Sequence, residues 1–578
     1  MQKNLYRRQL PTDFVLKENG LHPVIQQILA TRAINPETQL EHTLKYLLPY
    51  HQLKGIQTAV DLLVTALQQQ QRILIVADYD ADGATSCSLA VKALRLMGAK
   101  QVDYLVPNRE KHGYGLTPEI VELASPYQAE LLITVDNGIS SVAGVAEAKA
   151  RGIKVLITDH HLPPPQLPIA DAIVNPNQVG DSFPSKNLAG VGVIFYVMLA
   201  LRAGLRTHGW FTQQGIVDPN LAELLDLVAL GTVADVVKLD YNNRILVAQG
   251  LARIRANNCS AGVRALIKVA QREQGELVAS DLGFALGPRL NAAGRMDDMS
   301  YGIACLLSEN DTEAWERAQE LDILNQERRA VEAEMHQEAL AQLATMPLQT
   351  DDNLPVGLCL FDENWHQGVI GILASRIKDR LHRPVIVFTV SQHDEIKGSA
   401  RSVAGVHIRD ILESIATQHP HLLSRFGGHA MAAGLSLARQ DYEKFCQLFD
   451  TAVRQQLSPE NIQGKIYTDG ELNPSDFNLP FAEQLRYLLP WGQEVPEPMF
   501  EGVFEIMDKR VLKNSHLKMV VRPLPAGLPV DAIAFNMAET PLSTNTPIVK
   551  IAYRLDVNFH RGIKSLQLMV EHLEELSH

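Results

Sequence analysis

Cysteine is scarce in this chain: five among 578 residues, at Cys87, Cys259, Cys305, Cys359 and Cys446, with no Cys-x-x-Cys spacing. That excludes a disulfide framework and a thiolate zinc site, so any metal must be held by Asp, Glu and His. Long apolar runs are missing too. None approaches the roughly 20 residues that span a membrane, and the opening Met1-Gln-Lys-Asn-Leu-Tyr-Arg-Arg8 lacks the apolar core of a signal peptide. A cytoplasmic protein with no membrane contact is expected. An excess of positive charge is also lacking, since 53 Lys and Arg stand against 66 Asp and Glu, for a net charge of −13. A polyanionic partner would therefore need a local basic groove. What remains is an ordinary globular composition and a length too great for one core, which at roughly 150 residues per domain implies three or four.

The chain is organised around Val76-Ala-Asp-Tyr-Asp-Ala-Asp-Gly-Ala-Thr-Ser86. Arg72-Ile-Leu-Ile-Val-Ala-Asp78 reads as a buried parallel strand, and a helix start is expected at Gly83. Alternate residues of an extended segment project to the same side, so Asp78, Asp80 and Asp82 gather like charge at the strand's carboxyl end, where open α/β sheets bind ligands. Like charges so close raise each other's pKa unless a cation compensates them. A divalent metal is one account; an Asp-rich turn with a helix N-cap is the other.

Further strands are expected at Val102–Pro107, Leu131–Val135, Lys154–Thr158 and Ala172–Val174, with amphipathic helices between them. That alternation predicts a parallel sheet with helices on both faces. The third strand ends in Asp136-Asn-Gly138 and the fourth in Asp159-His160-His161. Alone, the first is an ordinary turn and the second a capping or surface feature. In a parallel sheet, however, Asp80, Asp82, Asp136 and His160 emerge at one edge. Downstream, Asp235 ends the apolar run Leu224–Val236, which is expected to break at Gly231. It is either a helix cap or a buried carboxylate that needs a cation.

The ordered set Asp80-x-Asp82, Asp136-Asn-Gly, Asp159-His-His161 and Gly231-Thr-Val-Ala-Asp235 resembles the four motifs of the DHH phosphoesterase superfamily. The strings Asp80-Ala-Asp-Gly-Ala-Thr-Ser86, Gly287-Pro-Arg-Leu-Asn-Ala-Ala-Gly-Arg295 and Phe426-Gly-Gly-His-Ala-Met-Ala-Ala-Gly434 resemble its single-strand-specific DNA exonucleases, from about Leu48 to the end. The resemblance implies two Mn²⁺ or Mg²⁺ ions held by Asp80, Asp82, Asp136, His160 and Asp235, with His161 facing the scissile phosphate. Asp82 and Asp136 are the candidate bridges, and Asp136 and His161 the catalytic pair. Many members carry a His where Val76 stands here; Asp78 either substitutes for it or stands behind the ligands. The implied activity is 5′-to-3′ hydrolysis of single-stranded DNA to 5′-mononucleotides in repair and recombination, with helicases and single-strand-binding protein as partners. The alternatives are a small-substrate phosphodiesterase of the same superfamily and a non-catalytic single-strand-binding scaffold.

Five segments follow: an N-terminal helical region over 1–70, a DHH-type catalytic α/β domain over 71–310, a connecting helix over 311–347, a second α/β domain of DHHA1 type over 348–458 and an OB-fold barrel over 459–578. In the second α/β domain, Trp365–Ile377 reads as a glycine turn into a helix whose N–H groups could accept a phosphate. Ser399, Arg401, Gly427, Gly428 and His429 stand at glycine-rich turns that, by the resemblance, bind substrate. Arg289, Asn291 and Arg295 are expected to reach the same cleft from the first domain. Arg109 is either a solvated loop charge or, with Ser399 and Arg401, part of a pocket for a terminal 5′ phosphate. In the barrel a basic stripe is expected at Lys509, Arg510, Lys513 and Lys518.

Overall fold

A computed structural model describes residues 4–18, 20–108, 114–345, 355–391, 394–457, 464–538, 540, 542, 548–560 and 562–576. It divides into two units, one of residues 8–325 with 469–578 and the other of residues 1–7 with 326–468. The helix Asp311–Thr345 runs through the boundary in the chain.

The larger unit is built on five parallel strands: β1 (Ile73–Ala77), β2 (Val102–Leu105), β3 (Leu131–Val135), β4 (Lys154–Thr158) and β5 (Ala172–Val174). Their spatial order is β2-β1-β3-β4-β5. All of β1 and β3 is buried, which is why these runs are continuously apolar rather than alternating. One face packs against a large core that includes the helices Ala81–Leu96 and Gly190–Thr207; the other packs against a smaller cluster with Ile120, Val121, Val145 and Ala148. Gly190–Thr207 is the one helix among the described residues long and apolar enough to cross a membrane, and 67% of it is buried in this core.

The same unit contains a closed barrel of five strands in the order Phe500–Leu512, His516–Pro523, Val530–Ala534, Ile563–Glu575, Ile548–His560. Its interior residues, among them Phe500, Phe504, Val521 and Tyr553, share a core with Ile25, Ile28 and Leu29 of the helix Pro23–Thr31. That union is locked by Arg32, whose Nη1 and Nη2 donate to the Asp469 carboxylate at 2.7 and 2.9 Å.

In the smaller unit, five strands lie in the order Arg425–Gly428, Ala432–Ala438, Glu395–Arg401, Val385–Val390, Leu358–Phe361. Only the last two pair in parallel. The helical expectation for the N-terminus misses its first element: Asn4–Arg7 is a strand, parallel to Lys465–Thr468. Four residues are too few for a period of two to declare itself in the sequence.

Two local differences bear on the site. The helix expected from Gly83 begins at Ala81, because the Asp80 side chain caps it. The break expected at Gly231 is absent, and Leu225–Ala234 runs through it. A Cβ at Gly231 would lie 2.2 Å from Thr85 Oγ1 and 2.9 Å from Asp82 Oδ1. That glycine is a close approach between helices, not a breaker.

Candidate metal centre

Strand β1 delivers the first carboxylates. Asp78 Oδ1 accepts from the Tyr79 N–H at 2.8 Å, and Asp80 Oδ1 accepts from the Asp82 and Gly83 N–H groups at 2.9 and 3.0 Å. The helix-cap account of Asp80 is thus realised, yet capping engages one oxygen of two. One turn in, the buried Asp82 accepts from the N–H groups of Gly190 at 2.6 Å and Val191 at 2.9 Å. These are the orphan donors that open the helix Gly190–Thr207, where a negative charge is favoured.

Beyond β3, Asp136 is 1% exposed and adopts φ +61°, a left-handed conformation unusual for a side-chain-bearing residue. Its neighbour Asn137 holds the turn by donating to the carbonyls of Val76 (3.1 Å) and Val135 (2.9 Å). Beyond β4, the Asp159 carboxylate accepts from the N–H groups of Ile139 (2.9 Å), His160 (2.7 Å) and His161 (3.1 Å). It also meets His161 Nδ1 at 2.7 Å. Because an ionised carboxylate only accepts, Nδ1 carries the hydrogen in that contact and Nε2 faces away. Asn175 and Asn177 hold the backbone in place by donating to the His161 and His160 carbonyls at 2.9 and 2.6 Å. Asp235 ends the helix Leu225–Ala234.

These side chains form three groups of potential ligands: Asp78, Asp80 and Asp136; Asp136, His160 and His161; and Asp82, His160 and Asp235. Within each group the ligand atoms lie within 4.8 Å of one another. Asp136 and His160 are each shared by two groups. Their facing atoms, Asp136 Oδ1 and His160 Nε2, are buried 3.1 Å apart and make no hydrogen bond.

Electrostatics press the same way. Burial, and then the surrounding carboxylates, push Asp136 well above the ordinary range. Burial and Asp235 raise Asp82, while burial and Asp80 raise Asp235. Burial, followed by the charge of His161, lowers His160 and keeps it neutral, as a metal ligand must be. Burial would also lower His161, but the bond to Asp159 and the nearby carboxylates outweigh it and carry it to about 9. Asp159 is likewise raised by burial and lowered further by His161, for a net downward shift. Carboxylate oxygens with one imidazole suit a hard divalent cation, and the two buried atoms that lack a hydrogen bond among the described residues are what such a cation would engage.

The helix Gly287–Met296 carries Arg289, Asn291 and Arg295. Asn291 Oδ1 accepts from the Ala81 N–H at 2.8 Å and so braces the first motif. A Cβ at Gly294 would sit 1.8 Å from the Tyr79 carbonyl oxygen, so only glycine allows this approach. Arg289 is paired with Asp322 at 2.8 Å and donates to the Ala285 carbonyl. Arg295 lies in the last turn.

In the smaller unit, Ser399 and Arg401 lie not at a turn, as expected, but within the strand Glu395–Arg401, paired on both sides, with Arg401 Nη1 3.2 Å from Ser399 Oγ. Both border Gly371 in the first turn of the helix Ile370–Leu381, where a Cβ would come within 2.9 Å of each. Gly427 and Gly428 lie on Arg425–Gly428, and the His429 N–H donates to the Ala432 carbonyl to close a hairpin. Arg109 lies outside the described residues. On the barrel, Arg510 faces Lys518 across two strands, and Lys518 pairs with Asp531 at 3.1 Å.

Sequence reasoning missed the supports: Asp159 as the anchor of His161, the Gly190 and Val191 amides on Asp82, and Asn175 and Asn177. Asp159 had a signal, standing beside two histidines. The amides had none, since any residue carries them.

Family models match three stretches: the N-terminal domain of the DHH family at 72–232, the DHHA1 domain at 351–455 and the RecJ OB domain at 468–572. The chain is 53% identical to the single-stranded-DNA-specific exonuclease RecJ of Dickeya dadantii over 98% of both chains. It is 51% identical to that of Escherichia coli over 96% of both. Among solved structures, RecJ of Thermus thermophilus in complex with Mn²⁺ matches with a TM-score of 0.78 and 29% identity, covering 96% of this chain and 76% of the other. With the ligand groups gathered where three parallel strands end, and the barrel in place, the chain belongs to the RecJ family of single-stranded-DNA-specific exonucleases.

Proposed function

We propose that this protein is a metal-dependent exonuclease that degrades single-stranded DNA from the 5′ end to 5′-mononucleotides, with two Mn²⁺ or Mg²⁺ ions. The carrying observation is the chain of ligand groups joined through Asp136 and His160. Asp80, Asp82, Asp136, His160 and Asp235 hold the ions, with Asp78 a weaker contributor. Bound there, a metal pair supplies an activated water and charge stabilisation for in-line attack on a phosphodiester.

The protein's own residues do the rest. Asp159 fixes the His161 ring through Nδ1, so that Nε2 is the nitrogen that addresses a non-bridging phosphate oxygen. Ser399 and Arg401, beside the first turn of a helix, bind a strand phosphate and, at the end, the terminal 5′ phosphate. The barrel binds single-stranded DNA. Helicases and single-strand-binding protein are the partners that would supply such strands, in the cytoplasm.

The test is a 5′-labelled and a 3′-labelled oligonucleotide ladder with Mn²⁺, Mg²⁺ or chelator. Metal-dependent release of mononucleotides from the 5′ end is expected. Cleavage confined to dinucleotides or cyclic dinucleotides, or none at all, would overturn the reading.

A further inference from the structure

Tyr114 is used by none of the roles above, yet its hydroxyl stands between two of the residues that matter most. Its oxygen is 3.2 Å from the Asp136 carbonyl oxygen, and 3.2 and 3.4 Å from Nδ1 and Nε2 of His161. Nearly equal distances to both nitrogens cannot describe a bond in line with either. They place the oxygen over the imidazole face. Since His161 Nδ1 gives its hydrogen to Asp159, the phenol's own hydrogen has one good acceptor, the Asp136 carbonyl. That carbonyl belongs to the residue strained at φ +61°, a conformation that persists only where surroundings hold it.

The rings agree with this geometry. Tyr114 and His161 meet edge to face, with centroids 5.7 Å apart at 76°, and Tyr79 supports Tyr114 in the same way at 6.2 Å and 78°. Tyr114 is 45% exposed overall, and its neutral phenol is a hydrogen donor, the role the Asp136 carbonyl requires.

We infer that Tyr114 is a positioning residue that ties the strained Asp136 peptide to the face of His161, setting the tilt of the ring that addresses the phosphate. Asp159 holds the ring by its edge, and the edge bond alone leaves rotation about that axis open. The Tyr114 oxygen closes it. The inference rests on the proposed role of His161 and goes beyond it.

Tyr114→Phe keeps the aromatic contacts and removes one oxygen. In the full-length Mn²⁺ enzyme, kcat should fall about tenfold, as expected for one lost hydrogen bond that acts on the reacting geometry. KM for single-stranded DNA should stay within about twofold, and Mn²⁺ affinity by calorimetry within about threefold. In metal-free protein labelled at histidine Cε1, the His161 resonance, assigned by its loss in His161→Gln, should move in Tyr114→Phe while the melting temperature holds. A kcat within twofold of the parent, an unmoved His161 resonance, or a rate loss fully matched by lost Mn²⁺ affinity would each overturn the inference. Because the resonance is read without metal or DNA, it stands apart from the parent's activity, and a parent that cuts no single-stranded DNA would sink the functional reading instead.

Discussion

His160 Nε2 stands 3.1 Å from Asp136 Oδ1, both atoms buried and neither hydrogen-bonded. A buried polar atom left without a partner costs about 1–3 kcal/mol, and here two such atoms face each other on the ends of adjacent strands. The contact marks the seam between ligand groups, where a cation would engage one lone pair of His160 and the Asp136 carboxylate. Its consequences reach stability as well as catalysis.

Metal-free protein should lose stability as pH rises. Asp82 is raised to about 7 by burial and Asp235, and Asp235 to about 8 by burial and Asp80, against an ordinary Asp near 3.9 unfolded. A folded pKa above the unfolded one favours the fold fully below the unfolded value, and that benefit is lost as pH rises through the folded value. His161, raised to about 9, works in the same direction, and the lowered His160 acts below this window. Thermal melts after chelation should therefore fall between about pH 6 and pH 9, and saturating Mn²⁺ should remove the slope as ions replace protons. A flat or rising metal-free profile would contradict the assignment of these carboxyls.

The two adjacent histidines should separate in their phenotypes. His160→Ala should lose both Mn²⁺ affinity and rate, whereas His161→Ala should keep affinity and lose rate. Asp136→Ala, which removes the carboxylate shared by two groups, should leave less than about a tenth of the parental kcat, a barrier increase of at least roughly 1.4 kcal/mol. Calorimetric titration beside single-turnover kinetics reads all three. The reverse pattern for the histidines would exchange their roles.

Much of this centre is legible in the sequence, for a physical reason. A parallel sheet brings strand ends together whatever their separation in sequence, so Asp80, Asp136 and His160 could be placed at one edge from periodicity alone. Helix limits were less legible where a side chain or a missing one decided them: Asp80 capping set the start at Ala81, and Gly231 proved a contact rather than a break. The braces of the site were invisible because they run through backbone groups, such as the Gly190 and Val191 amides. The strand Asn4–Arg7 pairs with residues more than 450 positions away, beyond the reach of any local pattern.

Gly231→Ala tests that contact. Its methyl group would collide with Thr85 Oγ1 and Asp82 Oδ1, both in the helix Ala81–Leu96, whose packing cannot relax without moving a proposed ligand. Overpacking of this kind destabilises by about 1–3 kcal/mol, and Mn²⁺ affinity should fall with it. Chemical denaturation combined with calorimetry separates the two effects. A variant with parental affinity would mean that the helix yields elsewhere and Asp82 keeps its place.

Arg401→Ala should distinguish strand ends. Its guanidinium sits beside Ser399 and the first turn of Ile370–Leu381, a setting in which a planar fork can take two phosphate oxygens. A terminal 5′ phosphate carries more charge than an internal diester. Loss of charge-assisted bonds worth about 1.5–3 kcal/mol each should raise KM for 5′-phosphorylated strands roughly tenfold more than for 5′-hydroxyl strands, with Mn²⁺ binding unchanged. Equal weakening of both substrates would make Arg401 a general backbone contact.

The barrel's attachment offers the last test. Arg32 and Asp469 are 1% and 2% exposed at their side chains and pair through both guanidinium nitrogens. Arg32 Nε also donates to the Pro496 carbonyl at 2.9 Å, and Asp469 accepts from the Met499 N–H at 3.0 Å. Asp469→Ala leaves a guanidinium buried without its counter-charge, a change that costs about 3–5 kcal/mol. It should lower the melting temperature and expose the segment before Phe500 to limited proteolysis. Replacing both residues together, Arg32→Met with Asp469→Leu, removes the uncompensated charge and should recover most of the loss, since apolar substitutes for a buried ion pair are often neutral or better. A double variant as unstable as the single one would shift the weight from the charge pair to the backbone bonds at Pro496 and Met499, which neither substitute can make.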